Sequence, residues 1–197
     1  MEQRVYVSGG GFQTNCYLLI NDGGSLIVDP GIDTAERIIA DAPNPLAVLN
    51  THGHIDHVWS NKLLQERLGV PVYIHKNDSY MLTIDMFGMG LTPSKADVEI
   101  TDENYIELGG FSFRFVHFPG HSPGCSMIEF DDRIFSGDFI FDGTIGRSDF
   151  AGSSPADMKK SLVRFLAMYD TDKPLYPGHG KKTSIERAKK FIPRFIA

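Results

Sequence analysis

Thr51-His52-Gly53-His54-Ile55-Asp56-His57 places three imidazoles and a carboxylate within seven consecutive residues. The stretch follows the apolar run Leu46-Ala47-Val48-Leu49-Asn50, which reads as a buried strand, so the cluster sits at a strand's C-terminal end. In extended chain, residues i and i+2 point to one side, so His52 and His54 present their rings together. Asp56 and His57 lead into a predicted helix from Val58 to Leu68. Its apolar positions Val58, Trp59, Leu63, Leu64 and Leu68 recur at helical spacing until Gly69 and Pro71 stop it. Imidazole nitrogen and carboxylate oxygen are donors to Zn²⁺ and comparable borderline ions, so this loop alone offers four metal ligands.

Three later loops repeat the pattern of one donor beside glycine after an apolar strand: Phe118-Pro119-Gly120-His121, Ser136-Gly137-Asp138 and Tyr176-Pro177-Gly178-His179-Gly180. Glycine frees the backbone there and leaves room for the donors to meet at a shared centre. With Asp138 bridging, the set divides evenly, His52, His54 and His121 serving one ion and Asp56, His57 and His179 the other. Two ions about 3.5–4 Å apart can share and activate a hydroxide. The expected cofactors are therefore two divalent metal ions, Zn first, with Fe or Mn as the other candidates. Asp56 is expected to be catalytic as well, orienting that hydroxide. The competing explanation is that these residues merely cap helices or bond locally, and it would have to account for seven donors falling in one ordered pattern.

The rest of the 197 residues frames this site. At about 150 residues per domain the chain predicts a single domain over 1–197. Its 42% hydrophobic content is globular, and 19 Lys plus Arg against 25 Asp plus Glu, a formal charge of −6, carries no overall basic footprint for nucleic acid. Apolar runs such as Tyr17-Leu18-Leu19-Ile20 are far shorter than the roughly 18 residues a membrane span needs, and the N-terminus has no signal-like core. Two cysteines, Cys16 and Cys125, suggest reduced thiols and a cytoplasmic protein. The order is strand meander, helices, strand meander, helices. Strands are expected at Arg4–Val7, Asn15–Ile20, Ser25–Asp29, Leu46–Asn50 and Val72–Ile74, then Tyr105–Leu108, Phe111–Phe118, Ser126–Phe130, Arg133–Ser136 and Pro174–Tyr176. Helices are expected at Thr34–Asp41, at Pro155–Tyr169 and from about Thr183 to the end, and Met86–Asp102 reads as a mobile loop near a site. The expected architecture is α/β, a four-layer αββα sandwich.

The His-x-His-x-Asp-His loop, followed in order by Pro-Gly-His, Gly-Asp and Pro-Gly-His, resembles the metallo-β-lactamase superfamily across nearly the whole chain. That resemblance implies the same αββα fold, with the metals at one edge between the sheets. Residues Ser136 to Phe150, and Pro177-Gly178-His179-Gly180 followed by Thr183-Ser184, resemble the glyoxalase II (hydroxyacylglutathione hydrolase) group, especially its short single-domain bacterial type. The group implies a metallo-hydrolase that cleaves a small-molecule S-acyl thioester such as S-lactoylglutathione, a glutathione conjugate. Longer members carry a C-terminal helical domain with basic contacts to glutathione, whereas the sequence here runs only to Ala197, soon after His179.

Arg147 falls where longer members place a basic residue near a glutathione carboxylate, or it pairs with Asp142 or Asp149 to brace its own loop. Asp29 is expected to orient a ligand loop by hydrogen bonding rather than to cap the helix after it. Phe139, Phe141 and Phe150 line a pocket or belong to the core, and His75 and His117 read as strand histidines outside the site. Gly146-Arg147-Ser148-Asp149-Phe150 also resembles persulfide dioxygenases of the same superfamily, which would use a single iron on His52, His121 and Asp138. A lactonase or β-lactamase-like hydrolase is a further alternative.

Overall fold

In-and-out alternation along the strands sets the layers. Tyr17 and Leu19, Leu26 and Val28, and Ala47 and Leu49 point into one apolar cluster, while Leu18, Ile27 and Val48 between them point into another. Strands buried on both faces read as continuous apolar runs, as these do. The computed structural model describes residues 1–196. Its first sheet has six strands in sequence order: β1 (Glu2–Val7), β2 (Asn15–Asn21), β3 (Gly24–Val28), β4 (Pro45–Leu49), β5 (Val72–His75) and β6 (Val98–Ile100). The first two pairings are antiparallel and the rest parallel. The second sheet is formed by β7 (Ile106–Leu108), β8 (Phe111–His117), β9 (Ser126–Phe130), β10 (Ile134–Gly137), β11 (Pro174–Pro177) and β12 (Thr183–Ser184), with only β10 and β11 parallel.

The sheets pack face to face over Tyr17, Leu19, Val28 and Leu49 from the first and Phe113, Phe115, Ile128 and Phe135 from the second. Each fully buried phenylalanine stabilises the fold by about 1.5–3 kcal/mol. Helices α1 (Ala35–Asp41), α2 (Ile55–Val58) and α3 (Asn61–Leu68) cover the outside of the first sheet through Ile38, Val58 and Leu64. Helices α4 (Pro155–Met168) and α5 (Ile185–Phe191) cover the second through Leu162, Phe165, Ala188 and Phe191, and α6 (Pro193–Ile196) completes the described chain. This is the αββα sandwich. Among the described residues, no helix is long and apolar enough to cross a membrane.

Three local expectations need correction. The helix expected over Val58–Leu68 is two pieces, because the Ser60 N–H goes to Pro30 O (3.0 Å) and its hydroxyl to Gly31 O (2.7 Å), which interrupts the helical ladder. The helix expected from Thr183 starts at Ile185, since Thr183 and Ser184 first pair with Leu175 and Pro174, and Pro193 splits the C-terminal helical stretch into α5 and α6. The segment Met86–Asp102 holds the edge strand β6, and a 3₁₀ turn over Lys76–Leu82 precedes it. Cys16 and Cys125 are free and buried in different clusters, and burial pushes both thiols up, away from nucleophilic chemistry.

Candidate metal centre

Parallel strands of an open sheet leave a crevice beyond their C-terminal ends, where ligands characteristically bind. Here two such crevices face each other. The loop after β4 brings His52 and His54, α2 brings Asp56 and His57, the loop after β8 brings His121, the turn after β10 brings Asp138, and the loop after β11 brings His179. All seven meet. Donor atoms of His52, His54 and His121 lie within 4.8 Å of one another, as do those of Asp56, His57 and His179. Asp138 lies between the groups, its Oδ2 3.4 Å from both His121 Nε2 and His179 Nε2, and its Oδ1 3.3 Å from His57 Nε2.

Hydrogen bonds on the far side of the rings fix which nitrogen faces the centre. His57 Nδ1 donates to Asp29 Oδ2 (3.1 Å), and His121 Nδ1 donates to the Arg147 carbonyl (2.8 Å). His52 Nδ1 lies 3.1 Å from Thr51 Oγ1, whose own proton goes to Asp29 Oδ2 (2.6 Å). In each case the Nε2 lone pair is left turned inward. Among the described residues, His52 Nε2, His57 Nε2 and Asp138 Oδ1 are buried without a hydrogen-bond partner, and His54 Nδ1 sits 2.9 Å from His121 Nε2. Buried lone pairs left facing one another are costly, and cations placed among them satisfy all of them. The donor set therefore fits two divalent ions.

Asp29 is held at φ 50°, in the left-handed region that aspartate tolerates better than most residues. The strain lets one carboxylate reach the Thr51 amide (2.8 Å), the Thr51 hydroxyl and the His57 ring. Two participants escaped the sequence reading. Thr14 donates its hydroxyl to Asp56 Oδ2 (2.6 Å). Asp78, fully buried in the 3₁₀ turn, accepts from Gly53 N (3.0 Å), Ser122 Oγ (2.6 Å) and Gly124 N, so it ties the His52–His54 loop to the His121 loop. Burial raises its carboxyl above the usual range, against the pull of these donors.

Charge in the metal-free centre divides by neighbourhood. Burial, then the charges of neighbouring imidazoles, depresses His52 well below the ordinary histidine value and His54 to about 3. Burial opposes protonation of His57 and His179 too, but the carboxylates of Asp56 and Asp138 outweigh it, raising His57 strongly and His179 to about 9. The signs differ accordingly. His54 contributes stability that is complete above about 6.5 and is lost as pH falls toward 3, whereas His179 contributes stability complete below about 6.5 and lost as pH rises through 9. The urea midpoint of chelator-treated protein should therefore peak near neutrality, and a steady rise from pH 5 to 9 would contradict this balance.

Gly178 shows why the last loop needs glycine. A methyl there would collide with Asp138 Oδ1 and the His57 ring, so Gly178→Ala should cost about tenfold or more in metal affinity, measured by chelator competition. Gly137, at φ 50° against the Thr51 hydroxyl, is constrained both by its backbone and by its neighbour.

The centre opens into a cleft of about 420 Å³ whose walls include Phe12, Phe87, Met89, Phe141 and Phe150. Phe87 and Met89 come from the segment expected to lie near a site. Phe139, in contrast, is core, stacked 4.7 Å from Phe118. Arg147 stands on the rim, paired with Asp149 through Nε (2.9 Å) and Nη2 (3.0 Å), and Asp142 takes Lys181 and Arg187 instead. His75 and His117 stack on each other at 4.0 Å, with His117 Nε2 donating to Pro123 O (2.8 Å), satisfied as expected outside the site.

The chain belongs to the metallo-beta-lactamase superfamily, whose family pattern matches residues 9–179. It is similar to the crystal structure of the BLEG-1 B3 metallo-beta-lactamase, with a TM-score of 0.88 and 30% identity over 100% of both chains. It is similar also to TTHA1623 in a di-iron-bound form, with a TM-score of 0.81 and 31% identity over 95% of this chain and 98% of that one. The hydroxyacylglutathione hydrolase GloC of Haemophilus influenzae is 32% identical over 197 residues, covering 92% of each chain. Family, fold and donor clusters together define a metal-dependent hydrolase with a dinuclear metal-binding site.

Proposed function

We propose that the chain works as one domain and hydrolyses the acyl bond of a small substrate at this dinuclear centre. The observation that carries this is the pair of donor groups joined at Asp138 and opening into a cleft large enough for a small molecule. His52, His54 and His121 would hold one ion, Asp56, His57 and His179 the other, and Asp138 both. Two such ions supply activated water at neutral pH and polarisation of the carbonyl. Asp56, pinned by Thr14 on the cleft wall, orients the attacking water, and Asp29 keeps His57 and the His52 loop in register. Zn and Fe both suit these donors, and the di-iron form of TTHA1623 supports iron.

Two acyl classes are in contention. The whole-chain likeness to BLEG-1 favours opening of a β-lactam ring. Identity to GloC, together with the loop around Arg147, favours thioesters such as S-lactoylglutathione. A single-iron persulfide dioxygenase would leave Asp56, His57 and His179 without a metal, although all three are packed toward the centre. The deciding experiment is elemental analysis of protein purified under defined metal supply, with anaerobic assays on S-lactoylglutathione, a simple lactone and a chromogenic cephalosporin. Two metals per chain and O₂-independent hydrolysis are expected. One iron per chain with O₂ uptake on glutathione persulfide would replace the hydrolase with the dioxygenase.

A further inference from the structure

We infer that the cleft selects substrates with a bulky apolar acyl group and a leaving group without negative charge, an inference that rests on the hydrolase reading above. The apolar wall begins at the donors themselves. Phe87 and Phe150 lie 5.8 and 5.2 Å from the His54 ring, Phe150 also 5.3 Å from His121, and Phe141 6.0 Å from His179, all centroid to centroid. Any carbonyl seated over these imidazoles therefore has its substituents against aromatic faces. Phe87 and Met89 remain 45% and 44% exposed, so apolar surface at the mouth is left for a substrate to cover. Apolar surface this near a polar centre gives affinity to whatever chain lies across it.

The cations point the same way. A glutathione carrier brings two carboxylates, and β-lactam drugs commonly bring one. Among the described residues lining this cleft, Arg147 is the single Lys or Arg, and the Nε–Nη2 edge of its guanidinium is held by Asp149. Outside the lining, Lys181 and Arg187 are both paired with Asp142. An anionic substrate would have to share the one cation of the lining with Asp149, whereas a neutral thioester or lactone needs no cation. For a thioester, the acyl C–S bond breaks, a C–O bond forms from water, and a water proton ends on the thiol.

The test compares acetyl and hexanoyl thioesters on N-acetylcysteamine, a neutral thiol, with the same acyl groups on glutathione, using the metal-loaded full chain. Each methylene seated on the wall is expected to raise kcat/KM about fourfold, so hexanoyl should exceed acetyl by at least about tenfold even with partial burial. The neutral carrier should exceed glutathione by about twofold to fivefold, the worth of competing with one exposed ion pair. Phe87→Ser and Met89→Ser should shrink the hexanoyl-to-acetyl ratio, chiefly through KM. Equal rates for the two acyl groups, or a preference for glutathione, would overturn the selectivity alone. Absence of turnover on every thioester, lactone and lactam would overturn the hydrolase reading with it.

Discussion

Asp138→Asn should leave the fold intact and lower kcat/KM by roughly 10³-fold or more, with metal content falling from two ions per chain to one or fewer. The side chain keeps its shape, so packing around it is unchanged. What disappears is the negative charge lying 3.3–3.4 Å from ring nitrogens of His57, His121 and His179, where it faces both donor groups at once. An amide has one weak acceptor oxygen in place of two anionic ones and turns a donor toward lone pairs or cations. Burial alone would favour the neutral acid, yet the surrounding imidazoles hold Asp138 well below the ordinary carboxylate range, so the charge is built into the site. Elemental analysis beside kinetics gives the answer, and two retained metals with activity within tenfold of the original would remove Asp138 from the bridging position.

The second large effect concerns a residue that touches no donor atom. Asp78→Ala strands three buried groups, the amides of Gly53 and Gly124 and the hydroxyl of Ser122. At about 1–3 kcal/mol for each unsatisfied group, the loss of stability should be about 3 kcal/mol or more. It also unties the loops bearing His52, His54 and His121, so metal affinity should fall about 10- to 100-fold. Asp78→Asn keeps one acceptor and should recover part of both. Chelator competition below the unfolding transition separates the two effects, because a residue serving only stability would leave the affinity of the folded protein unchanged.

The seven donors were legible because each sits in a short motif whose spacing exposes it, a property local to the sequence. Asp29 was legible for the same reason, as a carboxylate closing an apolar strand. Thr14 and Asp78 were not, since Thr14 meets Asp56 across 42 residues and Asp78 meets Ser122 across 44, and nothing in Gln13-Thr14-Asn15 or Asn77-Asp78-Ser79 distinguishes them from ordinary turn sequence. Layer order followed from the succession of strand meander, helices, strand meander and helices, whereas β6, only three residues long, is too short for any period to show. The break between α2 and α3 was hidden because it depends on the carbonyls of Pro30 and Gly31, far from the helix whose ladder they interrupt.

The start of β2 is fastened to the end of β11: Asn15 donates from its backbone to Gly178 O (2.6 Å) and from its side chain to the carbonyls of Pro177 (3.0 Å) and Gly180 (2.8 Å). The contact joins residues more than 160 positions apart and sets His179 beside Asp56. On a ribosome, where the chain emerges N-terminus first, the first sheet can be complete long before this clasp has its second half. Until then the growing chain carries the His52–His57 loop without the donor that closes its set. Full metal loading is thereby postponed until His179 has been made, and an ion acquired then locks together segments made at well-separated times.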